Sequence, residues 1–333
     1  MHRSPKSPLL LCLFLTLCLP SLSHVAGMPG GGTQSNPSDW SSSQAEHVFG
    51  LPGAETKEKG TLLITTTDIV FAGEKNHSAI PLQSIVAVSA GDERVELWGW
   101  KGRILRAAIP DGGGLVAATF MHHKVGMLTV EFSDVHGAYH CAVFFLPAEE
   151  TGRMLQTFRA LPVNRREPAS NECEEHRIAF RTVRITAPTS NEVETPAAYR
   201  ALVYERLVDG LGKSKGIDHV YRDGESGAYE GCPQYTIELT FTGFKQGSQV
   251  GRASMGPVGM FVGTTQMAVD VKITDAEGEV KFHDQTKATV RGESESINVA
   301  GSVAKKLAKQ FADFQNNVGK EAPEGSATLL YSR

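Results

Sequence analysis

Alternating apolar and polar residues between positions 235 and 291 constrain the fold of this chain more than any other stretch. An alternation with a period of two is typical of strands that bury one face of an antiparallel sheet. Residues 275–278 predict a tight turn, because Gly278 readily takes the positive φ that such turns need. The sequence therefore predicts a three-stranded meander with one covered face. The residues expected on that face are Tyr235, Ile237, Leu239, Phe241, Met267, Val269, Val271, Ile273, Val280, Phe282, Ala288 and Val290.

Two stripes of apolar residues at helical spacing flank the meander and are predicted to cover it. The first stripe follows Pro196, and the second lies within residues 296–315. With strands expected at 178–185 and 217–221, residues 177–318 are predicted to form a two-layer α/β sandwich that begins with a β-α-β crossover. The stripe residues are Ala197, Ala201, Tyr204, Val208 and Leu211, and Ala300, Val303, Ala304, Leu307, Phe311 and Phe314.

The first residues have the order of a secretory signal peptide. Arg3 and Lys6 precede an apolar run at 9–19, and the small residues Ser21 and Ser23 follow. We expect residues 1–23 to be removed, with cleavage after Ala26 as the alternative, and the protein to be periplasmic or extracellular. The run is shorter than the ~20 apolar residues of a spanning helix, so no transmembrane helix is expected after cleavage. Retention of the segment as a membrane anchor is the open alternative.

Composition divides the rest of the chain. Residues 24–58 are rich in Gly, Pro and Ser without periodicity, which predicts a disordered tether. Short strands followed by one helix after Pro147 predict a small β-barrel, capped by its C-terminal helix, at residues 59–161. Residues 162–176 predict a linker and residues 319–333 a tail, and the fold class is α+β with two domains. The strands are expected at 62–66, 69–72, 80–88, 94–98, 103–109, 115–122, 127–132 and 138–146.

Two resemblances add to this interpretation. Residues 60–71 together with 80–85 are similar to the opening of GRAM and pleckstrin-homology-like (PH-like) domains, which implies a partly open barrel and a binding or scaffolding role. The second region has a Gly-rich segment, then a Val-rich strand and the turn at 275–278. It resembles uncharacterised bacterial envelope proteins akin to the amino-terminal domain of TolB and to the periplasmic part of the curli-export lipoprotein. This second resemblance implies a fold and no activity.

Three cysteines lie beyond the expected signal peptide. The turn at 134–137 is predicted to pair Val130 with Cys141 on an apolar face, and Phe132 with Tyr139, so Cys141 is expected to be a buried thiol. Cys173 and Cys232 are then the candidates for a disulfide, since an exported protein meets an oxidising compartment. The alternatives are that Cys141 pairs with one of these two, or that Cys173 and Cys232 are unpaired thiols near the surface.

The histidines at positions 122, 123, 136 and 140 suggest a metal site. Zinc needs three or four converging ligands, however, and this segment is predicted to form a strand and a turn, with His140 facing outward opposite Glu131. The Gly-rich runs lead into strands and match no phosphate-binding motif, and no nucleophile motif occurs. We therefore expect no catalytic residues, no metal and no cofactor.

One cluster of aromatic and basic residues is a candidate surface for an anionic ligand, and its alternative role is packing in a hairpin. The surface cluster comprises Trp98, Trp100, Lys101, Arg103 and Arg106.

The net charge of −4 is spread along the chain and forms no basic face, which argues against binding of nucleic acid. The leading hypothesis is a non-catalytic exported envelope protein, a binding or assembly module whose partner is an unknown envelope protein or surface. The alternative is an envelope hydrolase or metal-dependent enzyme that uses the region from His122 to His140.

Overall fold

The computed structural model describes residues 40–96, 122–161, 177–191, 193–225, 231–247, 263–291 and 295–321. These residues belong to one compact unit and form a mixed α+β fold with two sheets and three helices. None of the described helices is long and apolar enough to cross a membrane.

The first sheet is antiparallel, with the strand order β4-β3-β2-β1-β7-β6-β5. Its two outer strands do not pair with each other in the described part of the chain, so the expected barrel is not closed. Helix α1 (Ala148–Ala160) follows Pro147, as predicted, and buries Met154 and Phe158. The strands are β1 (Trp40–Phe49), β2 (Glu58–Ile64), β3 (Asp68–Gly73), β4 (His77–Pro81), β5 (Ile85–Glu96), β6 (His122–Ser133) and β7 (Tyr139–Pro147).

Strand β1 corrects the prediction of a tether at 24–58. It lies between β2 and β7 near the centre of the sheet, and it buries Trp40, Ala45 and Val48. Its register with β2 shifts between Ser42 and Ala45, and such a bulge breaks the period of two by which a strand is detected. Residues 24–39 lie outside the described residues.

The strand predicted at 80–88 is also wrong in its bounds. Pro81 ends β4, and a 3-10 turn (Leu82–Ser84) leads into β5, which continues to Glu96 without the break predicted after residue 88. The Leu82 N–H donates to the carbonyl of Thr67, the residue before β3, so this bond is the last of the β3–β4 ladder before the 3-10 turn. The strand predicted at 103–109 lies outside the described residues.

The hairpin of β6 and β7 has the predicted turn but a different register. Asp134 and Ala138 close the turn, and the ladder places Phe132 opposite His140 and Glu131 opposite Cys141. The Asp134 carboxylate accepts backbone N–H bonds from His136 and Ala138, which adds to the bonds that hold the turn in this register. The predicted pairings of Phe132 with Tyr139 and Val130 with Cys141 are therefore wrong by one residue.

Both faces of β7 are covered. A register that differs by one residue from the predicted one therefore leaves the apolar side chains on both faces of β7 buried. Ala142 and Phe144 lie in the core of the first sheet, whereas Cys141 and Val143 lie in the core shared with the second sheet. His140 is buried, 8% exposed, and stacks on Phe132, which corrects its predicted outward position. A continuous apolar run of this kind is typical of a strand buried on both sides.

The second sheet has the order β10-β8-β11-β12-β13, with β9 paired to β11. The predicted meander is confirmed: Gly278 has φ +83°, and the Asp275 N–H donates to the Glu279 carbonyl across the turn. Val280 was expected on the covered face but is 54% exposed, and Thr286 is buried on the same strand instead. The elements are β8 (Ile178–Ile185), β9 (Thr189–Ser190), α2 (Ala197–Gly212), β10 (His219–Arg222), β11 (Cys232–Lys245), β12 (Thr265–Asp275), β13 (Val280–Val290) and α3 (Asn298–Glu321).

Helix α2 connects the two sheets. It packs beside α3, as predicted, and it also contacts β5, β6 and β7 of the first sheet. Tyr204 packs edge-on against Tyr139 of β7, and Tyr199 packs against Phe244 of β11. The predicted sandwich therefore forms, with the first sheet as a further layer over α2. The α2 residues buried by this packing are Ala198, Tyr199, Ala201, Leu202, Val203, Tyr204, Glu205, Leu207 and Leu211.

Candidate functional site

An open groove with a cavity volume of about 870 Å³ lies along β4. Strand β4, the loop after β1, the 3-10 turn and the β6–β7 turn form its walls. Its surface is mainly apolar, and Val135, 84% exposed, projects from the turn. The lining residues are Leu51, Pro52, Gly53, His77, Ser78, Ala79, Pro81, Gln83, Ser84, Phe132, Ser133, Asp134 and Val135.

The groove follows a sheet edge whose backbone groups can be assigned. Hydrogen bonds from Gly73 N to Asn76 O and from Leu82 N to Thr67 O bracket the β3–β4 ladder. Hydrogen-bonded and non-bonded pairs alternate in antiparallel ladders, so Ser78 and Ile80 bond to β3, and His77 and Ala79 direct their N–H and C=O groups away from it. No described strand pairs with that outer side. Pro81, at the next outward position, offers only a carbonyl.

His47 of β1 holds the loop that forms one wall of the groove. Its ring is buried, 1% exposed, and packs against the rings of Phe71 and Phe144, at centroid distances of 6.1 and 5.6 Å. Nδ1 lies 2.8 Å from the Glu55 carbonyl oxygen, and Nε2 accepts the Leu51 N–H at 3.0 Å. Burial lowers the pKa of His47, and the backbone carbonyls of Glu55 and Phe49 only partly oppose this effect.

Glu58 of β2 holds the other end of the same loop. Its carboxylate accepts N–H bonds from Glu55 and from Lys75, each at 3.0 Å, and these backbone bonds lower the pKa of Glu58. Ser78 of β4 donates its hydroxyl to the Pro52 carbonyl at 2.9 Å, which ties the loop to the groove strand. The wall of the groove is thus set by side chains of three strands.

A second polar cluster lies between the two sheets. Arg222 of β10 donates two hydrogen bonds to the Glu205 carboxylate, both at 2.8 Å, and a third to the Tyr139 carbonyl at 3.0 Å. The Cys141 N–H also donates to Glu205, at 2.8 Å. Burial alone would lower the pKa of Arg222, but the Glu205 carboxylate raises it above its ordinary value. The bonded groups come from β7 of the first sheet, from α2 and from β10 of the second sheet, so this cluster joins the two sheets.

Cys141 is the buried thiol that the sequence predicts. It is fully buried, and burial raises its pKa well above the ordinary value, with Glu205 adding to the effect. A protonated, inaccessible thiol is a poor nucleophile. Cys173 lies outside the described residues. The disulfide between Cys173 and Cys232 therefore stays a prediction.

The described histidines do not converge on a metal site. The His140 ring lies 3.3 Å from the Asp134 carboxylate, and burial lowers the pKa of His140. No group of three or more His, Cys, Asp or Glu in the described part of the chain is arranged to hold a metal ion. The side chains of His122 and His123 lie outside this description. The surface cluster of Trp98, Trp100, Lys101, Arg103 and Arg106 lies outside it as well.

Sequence reasoning missed the groove. Its wall residues at 51–53 fall in the segment predicted to be a tether, where Gly and Pro suggest disorder. Gly50 and Gly53 instead take φ values of +92° and +80° in an ordered loop. The apolar residues beside these glycines, Phe49 and Leu51, were the available signal, since a disordered segment has few apolar residues to bury.

The fold and the groove define a class: a two-sheet α+β protein with an open, mainly apolar groove beside a sheet edge that no described strand covers. No family model and no curated protein matches the chain. Among solved structures, a PelC dodecamer from Paraburkholderia phytofirmans is 17% identical, with a TM-score of 0.29, over 43% of this chain and 95% of that chain. A DUF330 protein from Xanthomonas campestris is 8% identical, with a TM-score of 0.29, over 42% of this chain and 85% of that chain. At these TM-scores the similarity carries no argument about activity or partners.

Proposed function

We propose that the protein is a non-catalytic binding module of the cell envelope, and that its groove binds an extended segment of a partner polypeptide. The observation that carries this proposal is the outer side of β4, where His77 and Ala79 present backbone N–H and C=O groups beside the cavity. Adding a strand to such an edge satisfies these groups and gives affinity that depends little on the sequence of the added segment.

The cavity adds selectivity to this backbone pairing. Alternate side chains of an added strand point to the same face, so every second ligand residue faces the mainly apolar wall that contains Phe132 and Val135. The volume of about 870 Å³ lies within the ~300–1,000 Å³ that is usual for ligand sites. The favoured ligand is therefore a short extended segment with apolar residues at alternate positions.

Strand β4 also limits how much can bind. The strand covers His77–Pro81, and Pro81 has no N–H for a longer ladder. Short edge strands and edge prolines are common means by which proteins avoid uncontrolled pairing. We expect a few backbone hydrogen bonds and modest affinity, which suits a reversible partner rather than a permanent subunit.

The envelope location and the lack of catalysis are parts of the same proposal. The location is supported by the signal-peptide order of residues 1–23 and by the resemblance of the second region to envelope proteins. A disulfide between Cys173 and Cys232 accords with it, and non-reducing peptide mapping tests that pairing. The GRAM- or PH-like character of the first region is supported by its run of strands followed by α1. The engagement of Cys141, Glu205 and Arg222 within the protein supports a role in binding rather than catalysis.

Substitution of Ala79 tests the groove directly. A display library of unstructured peptides is selected on the wild-type protein, and the enriched peptides are titrated against Ala79→Pro and Ala79→Ser. Proline removes the outward N–H while sparing the bonds to β3, whereas serine keeps the N–H, so only the proline variant is expected to weaken binding, by about tenfold or more. Equal binding to both variants, or no enrichment of peptides with alternating apolar residues, contradicts the proposal.

A further inference from the structure

We infer that His47 makes the groove pH-sensitive: protonation of its ring in mild acid releases the loop at residues 50–57 and removes one wall of the groove. The role in ligand binding rests on the proposed function. The release of the loop does not, because it can be measured without any ligand.

The geometry fixes the protonation state of His47. A backbone N–H only donates, so the Nε2 that Leu51 N approaches at 3.0 Å must be an unprotonated acceptor. Nδ1 then carries the proton of the neutral ring and donates it to the Glu55 carbonyl at 2.8 Å. Only this neutral tautomer serves both ends of the loop at once.

A second proton on the ring breaks this arrangement. Nε2–H and the Leu51 N–H would then be two donors facing each other, and a buried N–H would lose its acceptor. The new positive charge would also lie in a site that is 1% exposed, against the apolar rings of Phe71 and Phe144. Movement of the loop away from the ring relieves both the clash of the two donors and the burial of the charge, because it gives the ring and the Leu51 N–H access to water.

The charged groups that act on the ring do not cancel this effect. They are Glu58 of β2 and Glu205 of α2, and both favour the protonated ring. Each carboxylate is already engaged elsewhere, Glu58 by the N–H groups of Glu55 and Lys75, and Glu205 by Arg222. Phe71 of β3 and Phe144 of β7, which pack against the ring, carry no charge. Burial therefore outweighs the carboxylates, and the pKa of His47 lies below its ordinary value.

The sign of the pH dependence follows from this lowered pKa. An exposed histidine gains its proton below about pH 6.5, and the loop-released state behaves in this way. The closed state resists protonation, so its stability is complete above about pH 6.5 and declines as the pH falls below that value. The loop carries the wall residues Leu51, Pro52 and Gly53, so groove binding weakens over the same pH range.

Hydrogen exchange of the ligand-free protein tests the inference. Amide exchange at residues 50–57, corrected for the intrinsic rate, is compared at about pH 7.5 and about pH 5. Wild type is expected to open several-fold more often at the lower pH, because the opened loop lets His47 take up a proton that the closed state resists. His47→Gln keeps one acceptor and one donor but does not titrate, so its exchange should not respond to pH. His283→Gln, at an exposed position of β13 away from the groove, is the matched control and should behave as wild type.

Two outcomes overturn the inference. Loop exchange in wild type that does not depend on pH removes the switch, and pH dependence that persists in His47→Gln assigns it to another group. If His47→Gln does not fold, NMR titration of wild type decides the point, because the His47 ring and the Leu51 amide must then change with one shared midpoint. A switch that operates in a protein that binds no peptide leaves this inference standing and refutes only the proposed function.

Discussion

At the scale of single residues, Glu205 is the side chain on which contacts between the two sheets converge. Its carboxylate, 3% exposed, accepts hydrogen bonds from Arg222 and from the Cys141 backbone. A buried ion pair contributes little net stability when it is compared with apolar residues of the same size. Removing one partner is costly, however, because the other charge is left buried without compensation.

We predict that Glu205→Gln lowers the free energy of unfolding by about 3 kcal/mol, since Arg222 loses its counter-charge. The matched control is Glu238→Gln, whose partner Lys272 lies 3.1 Å away with both side chains about 40% exposed. Exposed pairs contribute less than about 1 kcal/mol. Denaturant unfolding of both variants checks the prediction, and equal losses would show that the cluster does not join the sheets.

At the scale of elements, the order of the loop after β1 depends on close backbone approach. Gly50 has φ +92°, and a Cβ there would lie 1.9 Å from the Cys141 carbonyl oxygen and 3.0 Å from Cγ of Glu205. Gly53 has a similar φ of +80°, but a Cβ there would meet only the Ser78 hydroxyl, at 3.4 Å. The two glycines thus share a backbone conformation and differ in the space around them.

Alanine substitution of these glycines is expected to separate the two effects. Gly53→Ala should cost only the backbone strain, about 1 kcal/mol. Gly50→Ala should cost about 3 kcal/mol or more, because strain and displacement of β7 add together. Thermal or denaturant unfolding measures both. A loss for Gly50→Ala no larger than that for Gly53→Ala would mean that β1 and β7 can separate freely at this point.

The sequence predicted the elements whose apolar residues recur with a single helical or strand period. Prediction from the sequence failed where a bulge interrupts that period or where both faces of a strand are apolar. The meander and α3 were found because each presents a single apolar face, as in the alternation from Tyr235 to Phe241. Strand β1 was missed because its bulge breaks the period, and β7 was placed in the wrong register because both of its faces are apolar. The groove was missed because it depends on non-local contacts, such as the one from His47 to Leu51.

At the scale of the whole molecule, the sequence predicts two separate modules, but the two sheets share one buried core. Val48 and Met127 of the first sheet belong to the same buried cluster as Leu202 of α2 and Val269 of the second sheet. Buried apolar contacts of this kind stabilise by about 25 cal/mol for each Å² removed from water. The two sheets are therefore expected to unfold together, whatever the structure of residues 162–176.

Limited proteolysis tests this expectation. The prolines and charges of 162–176 predict a cut there, which would give two resistant fragments. We predict that the fragments stay associated and elute together in size-exclusion chromatography, because α2 contacts both sheets. Uncut protein is the control for elution volume. Separation into two folded fragments under native conditions would show that the modules are independent.

The central claim, that the outer side of β4 pairs with an extended peptide, is tested most directly by amide exchange at single-residue resolution. A peptide enriched on the wild-type protein is added, and the amides of β4 are followed by NMR. We predict that the His77 and Ala79 amides gain protection, whereas those of Ser78 and Ile80, already bonded to β3, change little. Uniform protection along β4, or protection confined to another surface, would contradict strand pairing at this edge.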